Sequence, residues 1–160
     1  MASKKILVTG ATGFIGSYLV RYLLQQGHTN IRCTRQPNSS MSLLKDTANM
    51  VEWVNADLLN VMDLEDAMQG VQQVYHCAAV VSFNEKDNHD MLKINAKGTA
   101  NIVNLALDFG IEKLIHVSSI AAIGRKPNDP NIDEQTAWKE DEWNSPYGIS
   151  KHKAEIEVWR

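Results

Sequence analysis

The chain has 160 residues, 44% of them apolar and 22% charged, a one-domain length with enough apolar material to close a core. Its formal charge of −3, with no block of lysines and arginines, gives no electrostatic footing for nucleic acid or an anionic membrane as partner. No apolar stretch approaches the roughly 18 residues of a membrane helix, and MASKKILVTG reads as the approach to a strand, not as a secretory leader.

Apolar runs of strand length alternate with helix-length periodic segments, the pattern of a parallel α/β sheet. Strands are expected at 4–8, 30–34, 51–56, 73–78 and 113–118, several of them β-branched and apolar on both faces. Helices are expected at 14–26, 40–48, 63–69, 88–109 and 146–160. Gly27 and Gly110 stand where left-handed caps end the first and fourth helices, and Asp63 is the expected N-cap of the third. Cys33 and Cys77 fall in two expected buried strands, so a disulfide framework is not expected and a reducing cytoplasm is the natural compartment. The irregular stretch 120–145 carries Asp129, Asp133, Glu134, Glu140, Asp141 and Glu142, which read as a solvated loop. Because five strands are laid down and nothing follows the last helix, the expected fold is truncated there, with 1–160 the nucleotide-binding portion of a longer protein.

The strongest motif comes first. Strand 4–8 runs into Thr9-Gly10-Ala11-Thr12-Gly13-Phe14-Ile15-Gly16 and then a helix. Gly10 suits a tight turn, and Gly13 leaves the backbone open to a diphosphate at the positive end of the helix dipole. Gly16 lets helix and strand lie close. The spacing G-x-x-G-x-x-G gains its meaning from that strand–turn–helix context, and no G-K-[ST] follows that would make it a Walker-type loop. At the end of the second strand, Asn30 to Pro37 contains no carboxylate, while Arg35 falls where the adenosine ribose would lie. A carboxylate there repels a 2′-phosphate and an arginine attracts it, so NADP(H) is expected ahead of NAD(H). Arg32 reads as an exposed strand arginine or as a second phosphate contact. Tyr147 and Lys151 stand four apart, on one face of the last helix. An ammonium beside a phenol stabilises the phenolate and draws its pKa from about 10 toward neutrality. His76 and Cys77 alternate across a strand and the other histidines are scattered, so no metal is expected.

TGATGFIG resembles the signature of the extended short-chain dehydrogenase/reductases, which include nucleotide-sugar epimerases, dihydroflavonol-type reductases and 3β-hydroxysteroid dehydrogenases; the likeness runs the length of the chain. It implies a doubly wound Rossmann fold holding a nicotinamide dinucleotide. By the same resemblance, Phe14 and Ile15 line the phosphate turn, Asp57 and Leu58 meet the adenine, and Ala78 and Ala79 form a small-residue turn beneath the cofactor. Ser119, with Ser118 as its neighbour, ends the fifth strand and orients the substrate oxygen; Tyr147 gives or takes the proton; Lys151 tunes Tyr147 and holds the nicotinamide ribose. Asn95 resembles the family's asparagine near N-K-G-T, or simply satisfies backbone groups.

Val80-Val81-Ser82-Phe83 and the run SSIAAIG resemble the reductase branch. The expected activity is hydride transfer between the nicotinamide and a carbonyl or alcohol carbon, with Tyr147 as acid/base. A sugar-nucleotide epimerase or dehydratase with retained cofactor, and a non-catalytic dinucleotide sensor, are the other readings. The chain by itself is expected to bind cofactor without efficient turnover. Apolar residues on more than one side of 88–109 suggest a homodimer through that helix and 146–160.

Overall fold

The computed structural model describes residues 4–124, 132–141 and 143–160. Asp129 and Glu142 of the acidic stretch lie outside the described residues. The chain forms two compact units, one of the residues up to Ala78 with Asn101–Val117, the other of Ala79–Ala100 with Ser118–Arg160.

The first unit is built on a five-stranded sheet: β1 (Ile6–Thr9), β2 (Ile31–Arg35), β3 (Glu52–Asn55), β4 (Gln73–His76) and β5 (Lys113–His116). All pairings are parallel and the order is β3-β2-β1-β4-β5, so the direction of winding reverses between β1 and β4. Ligands of open α/β sheets bind at the carboxyl ends of the strands flanking such a reversal. α1 (Phe14–Gln25) and α2 (Val61–Met68) belong to this unit. One core cluster gathers Ile6, Val8, Val20, Leu23, Ile31, Cys33 and Leu44; the other gathers Leu7, Leu64, Met68, Val74, Ile102 and Leu105. Ile6, Val8 and Leu7 divide between the two clusters because alternate side chains of β1 point to opposite faces. That is the burial pattern of a strand covered on both sides.

The later helices are α3 (Asn88–Leu92), α4 (Gly98–Asp108) and α5 (Pro146–Trp159), with a π turn over Lys93–Lys97 between α3 and α4. The expected helix 88–109 is therefore interrupted, and the widened turn carries Asn95 inward. Gly27 and Gly110 both have positive φ and each heads a paired return: Gly27 N–H to Leu24 O with His28 N–H to Leu23 O, and Gly110 N–H to Leu107 O with Ile111 N–H to Ala106 O. These are the two bonds of a Schellman cap.

Four local expectations need correction. The helix expected at 40–48 is two 3₁₀ turns, Ser42–Leu44 and Ala48–Met50; Ser40 Oγ bonds both the backbone and the side chain of Ser42, a local alternative that competes with helix. Asn60, not Asp63, caps α2, its Oδ1 accepting from Met62 N–H while its Nδ2 donates to Asp63. Cys77 follows β4 and is half-buried, whereas Cys33 is buried and desolvation pushes its thiol up to about 12.

The fourth concerns Arg32, which is neither exposed nor a phosphate ligand. It is buried, its Nη1 donating to the carbonyls of Asp66, Ala67 and Gln69 at 2.8–3.2 Å, and its Nη2 pairing with Glu52 at 2.8 Å. The guanidinium thus closes the carboxyl end of α2, where orphan carbonyls and the helix dipole both attract a cation.

Candidate cofactor and proton-transfer sites

In the first unit, β1 leads into the glycine turn. Gly10 has φ +65°, and a Cβ there would lie 2.6 Å from the Ala78 backbone. A Cβ on Gly16 would overlap Gly10 O and come within 2.9 Å of Ala11 Cα. Both glycines are therefore demanded by the chain's own packing. Gly13 differs: its φ of −79° suits any residue, and a Cβ would touch only Gly10 O, at 3.3 Å. Nothing among the described residues makes glycine obligatory there, which leaves room for a ligand.

Gly13 is the N-cap of α1, with no side-chain cap and no acidic residue in the first turn. The Gly13 amide donates to Gly10 O at 3.0 Å and the first intrahelical bond closes from Ser17 N–H to Gly13 O, so the amides of Phe14, Ile15 and Gly16 have no acceptor within the helix. Phe14 is 70% exposed and Ile15 is 55% exposed, an unusual outlay of apolar surface at a helix start. Bare amides and a positive dipole end make an anion site, so the turn fits the diphosphate of a dinucleotide. Thr9 holds the floor: its buried Oγ1 pairs with His76 Nδ1 at 2.7 Å and accepts from Ala78 N–H at 3.3 Å. The motif alone had not singled out that brace; a polar residue closing an apolar strand was the available signal.

Arg35 ends β2 half-buried, its Nε donating to Asn55 Oδ1 at 3.3 Å. Asn55 lines an open pocket of about 370 Å³ together with Gln36, Pro37, Asn38, Ala56, Asp57 and Asp63. Asp57 is exposed and its Oδ1 accepts from Leu59 N–H at 2.8 Å, so one carboxylate oxygen is engaged in a local turn. Leu58 is half-buried, and its carbonyl accepts from Asn101 Nδ2 at 2.8 Å. Ala78 ends this unit, half-buried against Gly10.

In the second unit, Ala79 is exposed at the start of the segment that follows β4. Ser119 is half-buried and caps the 3₁₀ turn Ile120–Ala122, its Oγ accepting from Ala121 N–H at 3.2 Å. Ser118 Oγ is buried and finds no hydrogen-bond partner among the described residues. α5 starts on Ser145, whose Oγ accepts from Gly148 N–H at 3.0 Å, with Pro146 in the first helical position. Tyr147 is therefore a first-turn residue, half-buried, and Lys151 lies one turn on, only 2% exposed. A Cβ on Gly148 would come 2.5 Å from Ala121 O. The glycine beside Tyr147 thus lets α5 press onto the turn that Ser119 caps, so the two proposed catalytic residues sit on elements in direct contact. Asn95 is buried, with Oδ1 accepting from Val80 N–H and Nδ2 donating to Val80 O and Ser150 Oγ. It satisfies backbone, as one of its two readings anticipated, and it reaches α5 as well.

Among the described residues no cluster of three or more His, Cys, Asp or Glu side chains is placed to hold a metal ion, and no helix is long and apolar enough to cross a membrane.

The chain is 38% identical over 154 residues to a putative dihydroflavonol 4-reductase of Synechocystis, covering 94% of this chain and 43% of that protein. It is 32% identical to cinnamoyl-CoA reductase 1 of Petunia hybrida, covering 99% of this chain and 50% of that one. Among solved structures, a short-chain dehydrogenase/reductase superfamily protein from Agrobacterium tumefaciens with bound NAD superposes with a TM-score of 0.78 at 28% identity, covering 96% of this chain and 44% of that chain. The chain thus spans about half the length of these relatives. Residues 6–160 match the model of the NAD-dependent epimerase/dehydratase family, and the chain belongs to that family.

Proposed function

We propose that the protein is an NADP(H)-dependent oxidoreductase acting on a carbonyl or alcohol carbon, with residues 1–160 as its dinucleotide-binding domain. The observation that carries the reading is Gly13: a glycine that no contact among the described residues requires, at the head of a helix without a side-chain cap. The diphosphate would rest on the amides of Phe14, Ile15 and Gly16, with Gly13 leaving room for its approach, and Ala78 and Ala79 would leave flat space below the cofactor. Asp57 and Leu58 would meet the adenine. Arg35 supports NADP(H), because no carboxylate stands at the end of β2 to repel a 2′-phosphate. The structural relative with bound NAD sets the competing expectation.

The cofactor supplies or removes a hydride; this chain's residues manage the oxygen and its proton. Tyr147 gives the proton to the carbonyl oxygen in reduction and takes it back in oxidation. Lys151, one turn along the same helix face, stabilises the phenolate and holds the nicotinamide ribose. Ser119 donates a hydrogen bond to the reacting oxygen. Its Oγ accepts from Ala121 N–H, which leaves the hydroxyl proton for that use.

Apolar exposure favours a carbonyl substrate with a hydrophobic body over a sugar nucleotide. Phe83 is 95% exposed on the segment after β4, and Ile120, next to Ser119, is 87% exposed. Net consumption of NADPH with an aromatic or alkyl aldehyde, abolished in Tyr147→Phe, is the expected result. Redox-neutral conversion of a sugar nucleotide with no NADPH consumed would replace this reading by the epimerase one. Dinucleotide binding without either activity, in a protein whose biological role survives Tyr147→Phe, would leave a sensor.

Leu107 on α4, and Ile156 and Trp159 on α5, are exposed, which supports a homodimer through these helices; Met91, Ile102, Val103 and Leu105 are consumed by the chain's own core. Sedimentation that finds only monomer at high concentration removes the dimer. Two cysteines outside any disulfide suit a cytoplasmic location.

A further inference from the structure

Ser150 precedes Lys151 and is part of neither the proton-transfer set nor the cofactor set. Its side chain is fully buried. Its Oγ donates to Tyr147 O at 2.7 Å and accepts from Asn95 Nδ2 at 2.9 Å. A serine bonding back to the carbonyl three residues earlier is common in helices and by itself means little. The second bond changes the reading, because it arrives from a residue 55 positions away.

Asn95 uses its whole carboxamide. Oδ1 accepts from Val80 N–H at 2.7 Å, and Nδ2 donates to Val80 O at 2.9 Å as well as to Ser150. It grips the backbone N–H and C=O of one residue in the segment after β4, much as a neighbouring strand would, and holds the helix serine with its remaining proton. The π turn at Lys93–Lys97 is the element that carries this side chain. Thr99 Oγ1 donates to Asn95 O, so the backbone of that turn is held too.

We infer that Ser150 is a positioning residue for Tyr147, and that the relay Val80–Asn95–Ser150–Tyr147 sets the phenol in register with the segment bearing Val81 and Phe83. The inference rests on Tyr147 being the proton-transfer residue, but the relay has its own readouts. A hydroxyl shared between a helix carbonyl and a distant carboxamide fixes the pitch of the first turn of α5, where Tyr147 sits. Alanine at position 150 keeps the helix, being the best helix former, and removes only the shared hydroxyl. A purely structural serine would tolerate that change.

The test compares the full-length wild-type protein, Ser150→Ala, Asn95→Ala and the double variant by NMR, and by turnover of NADPH with an aromatic aldehyde probe. For Ser150→Ala the expected results are displaced ring resonances of Tyr147 and amide exchange at Val80 faster by about two- to tenfold. With the probe, kcat falls about ten- to a hundredfold while the KM for NADPH stays put. Asn95→Ala should add little on the Ser150→Ala background, since both act through one connection. Unmoved Tyr147 resonances in a folded Ser150→Ala protein, or an unchanged kcat, overturn the relay. Should wild type consume no NADPH, the functional reading fails while the Tyr147 and Val80 resonances still decide the relay.

Discussion

Gly13→Ala separates a glycine kept for the fold from one kept for a ligand. The new methyl group meets only Gly10 O, at 3.3 Å, and the backbone at φ −79°, ψ 173° accepts it without strain. Alanine is a poorer N-cap than glycine by about 0.5–1 kcal/mol, but it also restricts the unfolded chain by about 0.4–1 kcal/mol. These effects nearly cancel, so Tm should stay within about 3 °C of wild type. The methyl group does, however, stand where a diphosphate oxygen would approach in the proposed binding mode. Loss of one hydrogen bond to a charged group is worth about 1.5–3 kcal/mol, or about a ten- to 150-fold weaker Kd for NADPH. Gly16→Ala is the internal contrast: its Cβ overlaps Gly10 O, the turn must open, and a cost near 3 kcal/mol lowers Tm by about 6–12 °C. Thermal unfolding and NADPH titration of both variants make the assay. Wild-type affinity in Gly13→Ala, or a stability loss as large as that of Gly16→Ala, would refute the reasoning.

The two arginines of β2 should part company. Arg32→Met, which strips three carbonyls of a buried cation, should cost about 2–4 kcal/mol by chemical unfolding and leave NADPH affinity alone, whereas Arg35→Ala should leave stability within about 0.5 kcal/mol and weaken NADPH about tenfold with little change for NADH. Glu52 should give an acid-side signature. Arg32 first and Lys5 second hold its carboxyl below the ordinary 4.5, so it favours the fold above that pH and loses the contribution as pH falls through its lowered pKa. Glu52→Gln should flatten that part of the stability–pH curve, and an unchanged acid limb would contradict the assignment. Because Glu52 is half exposed, the effect is small and shrinks with salt. Thr9→Val should cost about 1–3 kcal/mol, since His76 Nδ1 and Ala78 N–H lose a buried partner; a neutral result by thermal unfolding would show that the bridge is dispensable.

The sheet and its glycine turn were legible in the sequence because they rest on short-range rules. A strand covered on both faces is mostly apolar, and many helix ends turn through glycine, as those at Gly27 and Gly110 do. Arg32 was misread because its burial depends on three carbonyls more than 30 residues away, which strand alternation does not encode. The segment 40–48, expected to be a helix, has four apolar residues, of which only Leu44 is buried, and serine–serine bonding prevails there. Tyr147 and Lys151 announced themselves by their spacing, whereas Ser150 announced itself only through Asn95, a contact that no local pattern foretells.

The binding of a dinucleotide at the start of α1 is tested most directly by assigned amide resonances during a titration with NADPH. Saturable shifts are expected that are largest at Phe14, Ile15 and Gly16, with smaller ones at Arg35 and Asp57. Saturating cofactor that leaves those first-turn amides unmoved, or that perturbs another surface most strongly, would contradict binding there.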